Sequence, residues 1–140
     1  MIDPIEDRLA VGDVIIRYAT SVDARAMDRY ATCFTEDVVV TGFGDDTFRG
    51  LGPYVANVNG ALARFGRTQH LIGNQEISID GDTAHMRSYV QATHVLAADE
   101  ATLVILWAVY DDQLVRTAEG WKIRRHHLER QIGPRRVATL

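Results

Sequence analysis

Apolar residues recur with a helical period from Ile5 to Val22. Ile5, Leu9, Gly12, Ile16 and Ala19 make one stripe, and Val11, Ile15, Tyr18 and Val22 an adjoining one. At about 100° per residue these fill one broad face, with Asp13, Arg17, Thr20 and Ser21 on the other side. Asp3-Pro4-x-Glu6 starts the helix: Asp caps, Pro suits the first turn and Glu6 completes a capping box. The spacing predicts a helix to about Val22 and a second over about 26–34, closed by Thr35-Glu36-Asp37. Val38 to Thr41 reads as a short strand, 42–46 as a turn and 47–49 as a return strand. Gly50-Leu51-Gly52-Pro53 opens a third helix over about 54–64.

The period then changes to that of strands. Long β segments are predicted at 68–79, 83–96 and 102–116, with a last strand from Trp121 to about Arg130. Asp80-Gly81-Asp82 is a hairpin turn between the first two, and Ala118-Glu119-Gly120 turns the chain into the last. Helices gathered before a meander of long strands predict an α+β fold with helices on one face of an antiparallel sheet. Long strands curling round helices leave a concave site between the layers, where ligands bind.

Asp23 is the first residue that does not fit its surroundings. The spacing 5, 9, 12, 16, 19 continues to 23. If the helix extends that far, Asp23 points at the core, where a carboxylate needs a partner. If the helix stops at Val22, Asp23 is an exposed terminal residue. His70 opens a strand among apolar neighbours, a position that suits a satisfied core or surface histidine as well as a catalyst. Asn74, beside Gly73, suits a turn or bulge. In the next strand Ala84, Met86, Ser88, Val90, Ala92, His94 and Leu96 share one face. Their small side chains leave room that His94 points into, whereas His85 sits with Arg87 and Gln91 on a solvated face. His126 and His127 are adjacent and point to opposite faces, so no joint metal site is expected, nor any other metal or cofactor. A carboxylate, one or two histidines and Tyr18 around one pocket suit proton transfer. Without a Gly-rich phosphate loop or a G-x-S-x-G elbow, nucleotide cofactors and nucleophilic catalysis have no support.

Composition narrows the class further. The 140 residues suit one domain, spanning 1–140, and 46% of them are hydrophobic. The net charge of -4, without a basic stripe, argues against nucleic acid, and Arg130, Arg135 and Arg136 read as a solvated tail. Cys33 is the sole cysteine, and its helix-like surroundings make it a buried structural residue rather than a nucleophile. The first residues lack the pattern of a signal peptide. The longest apolar run, 103–110, is too short to span a bilayer. A soluble cytoplasmic protein with no membrane partner is expected.

Several segments resemble the SnoaL-like branch of the NTF2-like superfamily. They are Ile15-Ile16-Arg17-Tyr18-Ala19 with Asp23, Phe34-Thr35-Glu36-Asp37, and Gln69-His70-x₃-Asn74-x₂-Ile77-x-Ile79-Asp80-Gly81-Asp82. Tyr89 and His94 follow, then Tyr110-x-Asp112-x-Leu114-x-Arg116-Thr117-x₂-Gly120-Trp121-Lys122-Ile123. The resemblance implies a cone-shaped, cystatin-like α+β roll with N-terminal helices packed on a curled antiparallel sheet. Within the superfamily the chain is similar to scytalone dehydratase, bile-acid dehydratase and the lindane dehydrochlorinase group. That similarity implies a cofactor-free Asp–His dyad at Asp23 and His70, with Tyr18 assisting and His94 as a second pocket histidine. It leads to an expected cofactor-independent lyase, a dehydratase or related elimination enzyme, acting on a hydrophobic, cyclic small molecule. Asn74 and Trp107 are expected to line the substrate site with His94, and Leu103, Ile105 and Trp107 to make its wall apolar. An isomerase, a polyketide cyclase, or a non-catalytic subunit or ligand-binding domain of the same fold are the alternatives. The strand from Thr102 to Val109 is apolar on both faces, so one face is expected to fill the cone and the other to meet a second subunit, in a homodimer or homotrimer.

Overall fold

Asp3 caps the first helix by accepting a bond from the Ile5 amide (2.8 Å), with Pro4 in the first turn. The fold is that of a computed structural model, which describes residues 3–139. Helix α1 (Pro4–Asp23) is followed by α2 (Met27–Ala31), β1 (Phe34–Thr41), β2 (Phe48–Arg49) and α3 (Leu51–Leu62). Four long strands complete the chain: β3 (Phe65–Asp80), β4 (Thr83–Leu96), β5 (Thr102–Thr117) and β6 (Gly120–Ala138). The six strands form one curled sheet in the order β2-β1-β6-β5-β4-β3. All neighbours are antiparallel except β1 and β6, which run parallel. The α+β fold and its cystatin-like curl are therefore as expected.

The boundaries shift where tertiary pairing overrides local pattern. Helix α2 is shorter than its sequence span because Phe34 already pairs with Ile123 of β6. Strand β6 runs on past Arg130 to Ala138, so Arg135 and Arg136 pair with Ile105 and Val104 of β5 instead of forming a free tail. Their side chains remain exposed. In α1 the buried face is narrower than the apolar stripes. Val11, Val14, Ile15, Tyr18 and Val22 are buried, whereas Ile5, Leu9 and Ile16 are exposed. One helix can seat only one side on the sheet, and that side is set here by an anchor at its start. Asp7 accepts two bonds from Arg116 (2.8 and 2.6 Å) and one from the Trp121 indole N–H (2.7 Å). Arg116 also stacks over Trp121, 4.4 Å from the ring centroid. The Arg116 bonds, against the opposing effect of burial, hold the Asp7 carboxyl below its ordinary value.

Where β1 ends against β6, Gly42 has φ +92°, and a Cβ there would stand 2.1 Å from the Leu128 carbonyl oxygen. Only glycine fits that crossing, and it delivers Phe43 to the space between helices and sheet. The core in that space joins Val11, Ile15 and Tyr18 of α1 to Met86, Val90, Tyr110, Leu114 and Ile123 of the strands. Cys33 lies fully buried in it, and burial, opposed by Arg17, raises its thiol. Among the described residues no helix is long and apolar enough to cross a membrane.

Candidate active site

Helix α1 does reach Asp23, and the turn after it fixes the carboxylate. Arg25 has φ +59°, a left-handed conformation that is unfavourable for arginine. Its guanidinium holds it there with bonds to the carbonyls of Val22 (2.9 Å) and Gly66 (2.7 Å) and to Thr68 Oγ1 (2.8 Å). Thr68 in turn donates to Asp23 Oδ1 (2.9 Å). The start of β3 is thus tied to the end of α1, and His70 falls against Asp23. The His70 amide donates to Oδ2 (2.8 Å) and its Nδ1 to Oδ1 (2.7 Å). Burial works against the charge of Asp23, but the ring and backbone bonds from His70, the ring's charge and Thr68 together hold its carboxyl below the ordinary range. A carboxylate accepts, so the His70 ring carries its hydrogen on Nδ1. Nε2 is the ring nitrogen without a protein partner, at the cavity that His70 lines.

That cavity, about 330 Å³, lies between the helices and the inner face of the sheet. A larger, more open groove of about 490 Å³ along Ser78, Gln113 and Arg124 contains neither Asp23 nor His70. The inner face of β4 is the one its alternation predicts: Ala84, Met86, Ser88, Val90 and Ala92 are buried, and His94 lines the cavity. His94 donates from Nδ1 to the Val104 carbonyl (3.0 Å) and meets His70 edge to face at 5.6 Å. Burial, reinforced by the nearby His70, lowers its pKa against the opposing Val104 bond, which keeps the ring neutral.

Tyr18 is at the cavity too, in a cluster that includes four of the five tyrosines of the chain. Its hydroxyl is 3.4 Å from that of Tyr54, which is 2.8 Å from that of Tyr30. Burial raises the phenol pKa of Tyr18 well above 10 and pushes that of Tyr54 up to about 12. Behind Tyr18 lies a second Asp–His pair absent from the sequence reading. His126 Nδ1 is 2.5 Å from Asp112 Oδ1, both side chains are fully buried, and His126 Nε2 is 3.3 Å from the Tyr18 oxygen. Strict alternation from Trp121 and Ile123 would have put His127 inside. A bulge between β5 and β6 beside Gln113 and Leu114 reverses the phase, so His126 is buried and His127 exposed.

Two predicted residues lie elsewhere. Trp107 does not line the cavity. The unbroken register of β4 and β5 pairs it with the outward Gln91, whereas Val104, Leu106 and Tyr110 pair with the inward His94, Ala92 and Ser88. Trp107 therefore borders an outer groove with Leu71, Tyr89 and Ile132. Leu103 and Ile105 share its phase. Asn74 is also outside: a bulge in β3 between Ile72 and Gln75 leaves it exposed, beside Glu76 and Arg87. Its reading as a bulge residue holds, and its reading as a substrate contact does not. Tyr18, Asp23, His70 and His94 are brought together, with Arg64 and Arg130 at the same cavity. Among the described residues no three His, Cys, Asp or Glu side chains are grouped as metal ligands.

Comparison with known proteins places the chain by family and fold. The sequence profile of the SnoaL-like domain matches residues 3–127. An uncharacterized protein of Mycobacterium tuberculosis is 30% identical over 125 residues, covering 86% of this chain and 83% of that protein. Among solved structures, a Novosphingobium aromaticivorans protein provisionally assigned as an aromatic ring hydroxylase superposes with a TM-score of 0.87 and 31% identity, covering 99% of this chain and 97% of that one. A hexachlorocyclohexane dehydrochlorinase of Novosphingobium barchaimii shares the fold, with a TM-score of 0.84 at 20% identity over 97% of this chain and 93% of its own.

Proposed function

The chain belongs to the SnoaL-like domain family, and on that premise we propose that it is a cofactor-independent lyase that abstracts a proton with His70, oriented by Asp23. The observation that carries this reading is the 2.7 Å bond from His70 Nδ1 to Asp23, which leaves Nε2 as the free base at an apolar cavity. His70 takes a proton from carbon next to a carbonyl or a leaving group, and Asp23 stabilises the imidazolium that forms. The electron pair of the C–H bond becomes the new double bond, and water or halide departs. The dehydrochlorinase with the same fold carries out, by its name, an elimination of that kind. A cavity of about 330 Å³ lined by Val22, Phe65, Val90 and Leu106 suits a small, hydrophobic ring compound.

The three bonds on Asp23 also separate this reading from an isomerase whose carboxylate shuttles the proton. A carboxylate with both oxygens occupied and a lowered pKa is a poor base. The test is solvent deuterium exchange at the carbon next to the carbonyl of 2-tetralone, followed by NMR. The native protein should exchange it about 10²–10⁴-fold faster than His70→Ala. Equal rates for the two would remove the reading.

A further inference from the structure

We propose that the sealed Asp112–His126 pair is a positioning device that holds one shared proton and, by donating from His126 Nε2, turns the Tyr18 hydroxyl into the hydrogen donor of the cavity. Its placement follows from geometry alone, and its use in catalysis rests on the elimination reading above.

Asp112 and His126 are both fully buried, and among the described residues no arginine or lysine is bonded to either. A carboxylate beside a neutral ring would leave a net negative charge there, which burial strongly disfavours. With one further proton the pair is neutral, either as acid and imidazole or as carboxylate and imidazolium. In both neutral forms Nε2 carries a hydrogen, because Nδ1 is engaged with Asp112 at 2.5 Å. The second carboxyl oxygen, Oδ2, is buried with no partner. That is less costly for the carbonyl oxygen of an acid than for half of a carboxylate. Burial, opposed by His126, raises the Asp112 carboxyl in the same sense.

An Nε2–H aimed at the Tyr18 oxygen at 3.3 Å occupies that oxygen's acceptor side. The phenolic hydrogen must then point away, to Tyr54 or into the cavity. Toward Asp112 the nearby charges oppose one another, Asp111 disfavouring its ionisation and His85 favouring it, and the rings packed on His126 are uncharged. These rings are Tyr18 of α1, Phe34 of β1, Phe43 just after it, Tyr54 of α3 and Tyr110 of β5. The same chain of bonds refills the donor. As the C–O bond of a substrate breaks, the oxygen keeps the electron pair and takes the Tyr18 hydrogen. Tyr18 takes the hydrogen of His126 Nε2, and the proton of Asp112 moves to Nδ1. The pair ends at one negative charge, balanced by the proton that His70 has removed, so no buried phenolate accumulates. After product release His70 gives its extra proton to entering water, and a proton from that water returns through Tyr18 to the pair, which restores both groups.

The test needs no substrate. The full chain is labelled with ¹⁵N-histidine, and two-bond ¹H–¹⁵N spectra are recorded from about pH 5.5 to 8.5, a range that brackets the ordinary histidine pKa. His126→Gln assigns the ring; if that variant fails to fold, single changes at His70, His85, His94 and His127 assign it by elimination. The expected result is a hydrogen on His126 Nε2 across the range, with its signal shifted in Tyr18→Phe. A bare Nε2 at neutral pH overturns the proposal, since Tyr18 would then donate to His126. In the 2-tetralone assay, His126→Phe should lose about tenfold, the worth of one hydrogen bond, and His126→Gln should recover part of that. An Nε2–H with no exchange in the native protein would sink the elimination reading and leave the placement standing.

Discussion

Replacing Asp23 with asparagine tests the dyad more sharply than deleting it, because the amide keeps the shape. Asp23 accepts three bonds, two at Oδ1 from the His70 ring and Thr68, and one at Oδ2 from the His70 amide. An amide has one acceptor oxygen. If its nitrogen takes the Oδ2 place, it faces the His70 N–H, donor against donor. If it takes the Oδ1 place, it donates to Nδ1 and forces the ring hydrogen onto Nε2, which abolishes the base. In either orientation the imidazolium loses its counter-charge. A charge-assisted bond contributes about 1.5–3 kcal/mol, or about 10–100-fold at about 1.4 kcal/mol per decade. The misplaced ring hydrogen should bring the total loss in 2-tetralone exchange to about 10²–10⁴-fold. The double variant with His70→Ala should be no worse than His70→Ala alone, because the two act as a unit. Acid stability supplies a second readout. The folded Asp23 lies below its unfolded value of about 3.9, so its contribution is complete above that value and is lost as pH falls through the lower folded one. Asp23→Asn should flatten that part of the acid unfolding curve. Undiminished exchange in the asparagine variant, or losses that add in the double variant, would refute the dyad.

Three further outcomes follow from the same structure. Asp7→Asn should lower the melting temperature by scanning calorimetry, because Oδ1 already serves both Arg116 Nη1 and Trp121, so the amide nitrogen must stand at the Oδ2 place, facing Arg116 Nη2 donor against donor, and the ion pair loses its negative charge; an unchanged transition would show that this anchor does not hold α1. His94 should titrate below the ordinary histidine value of about 6.5 by NMR. Its folded form resists protonation, so it contributes no penalty above that value and a growing one as pH falls below it; an ordinary titration would contradict its burial. The outer face carrying Trp107, Leu71, Tyr89 and Ile132 is expected to meet a second copy of the chain, so Trp107→Arg should reduce the mass seen by light scattering at micromolar concentration; a monomeric native chain would end that expectation.

Period and punctuation made the elements legible, and register decided what they point at. The helical spacing through residue 19 carried the reading to Asp23, and the inner face of β4 followed from its small alternating side chains. Trp107 was misplaced because Thr102 to Val109 is apolar on both faces, which gives no phase. Only the pairing of Trp107 with Gln91, already legible as outward, settles it. Asn74 and His126 depended on single-residue bulges, in β3 and between β5 and β6, and each bulge reverses the side that alternation assigns. The anchor at Asp7 was invisible for a different reason: its partners are 109 and 114 residues away, and nothing local to α1 marks one acid among several.

The cavity region thus contains the same residue pair twice, in opposite electrostatic settings. Asp23 is partly exposed, takes three hydrogen bonds and is held low, so it stays a carboxylate and engages His70 at Nδ1, with Nε2 left unbonded. Asp112 is sealed, has one partner and is pushed up, so the neutral pair keeps its proton. Groups whose surroundings drive their pKa values apart are the ones to assign as base and acid. On that rule the proposed elimination casts His70 as the base and the Asp112–His126 pair as the source of the proton that Tyr18 gives. Loss of water would draw on both halves, a base at carbon and a donor at the leaving oxygen, whereas loss of halide would need only the first.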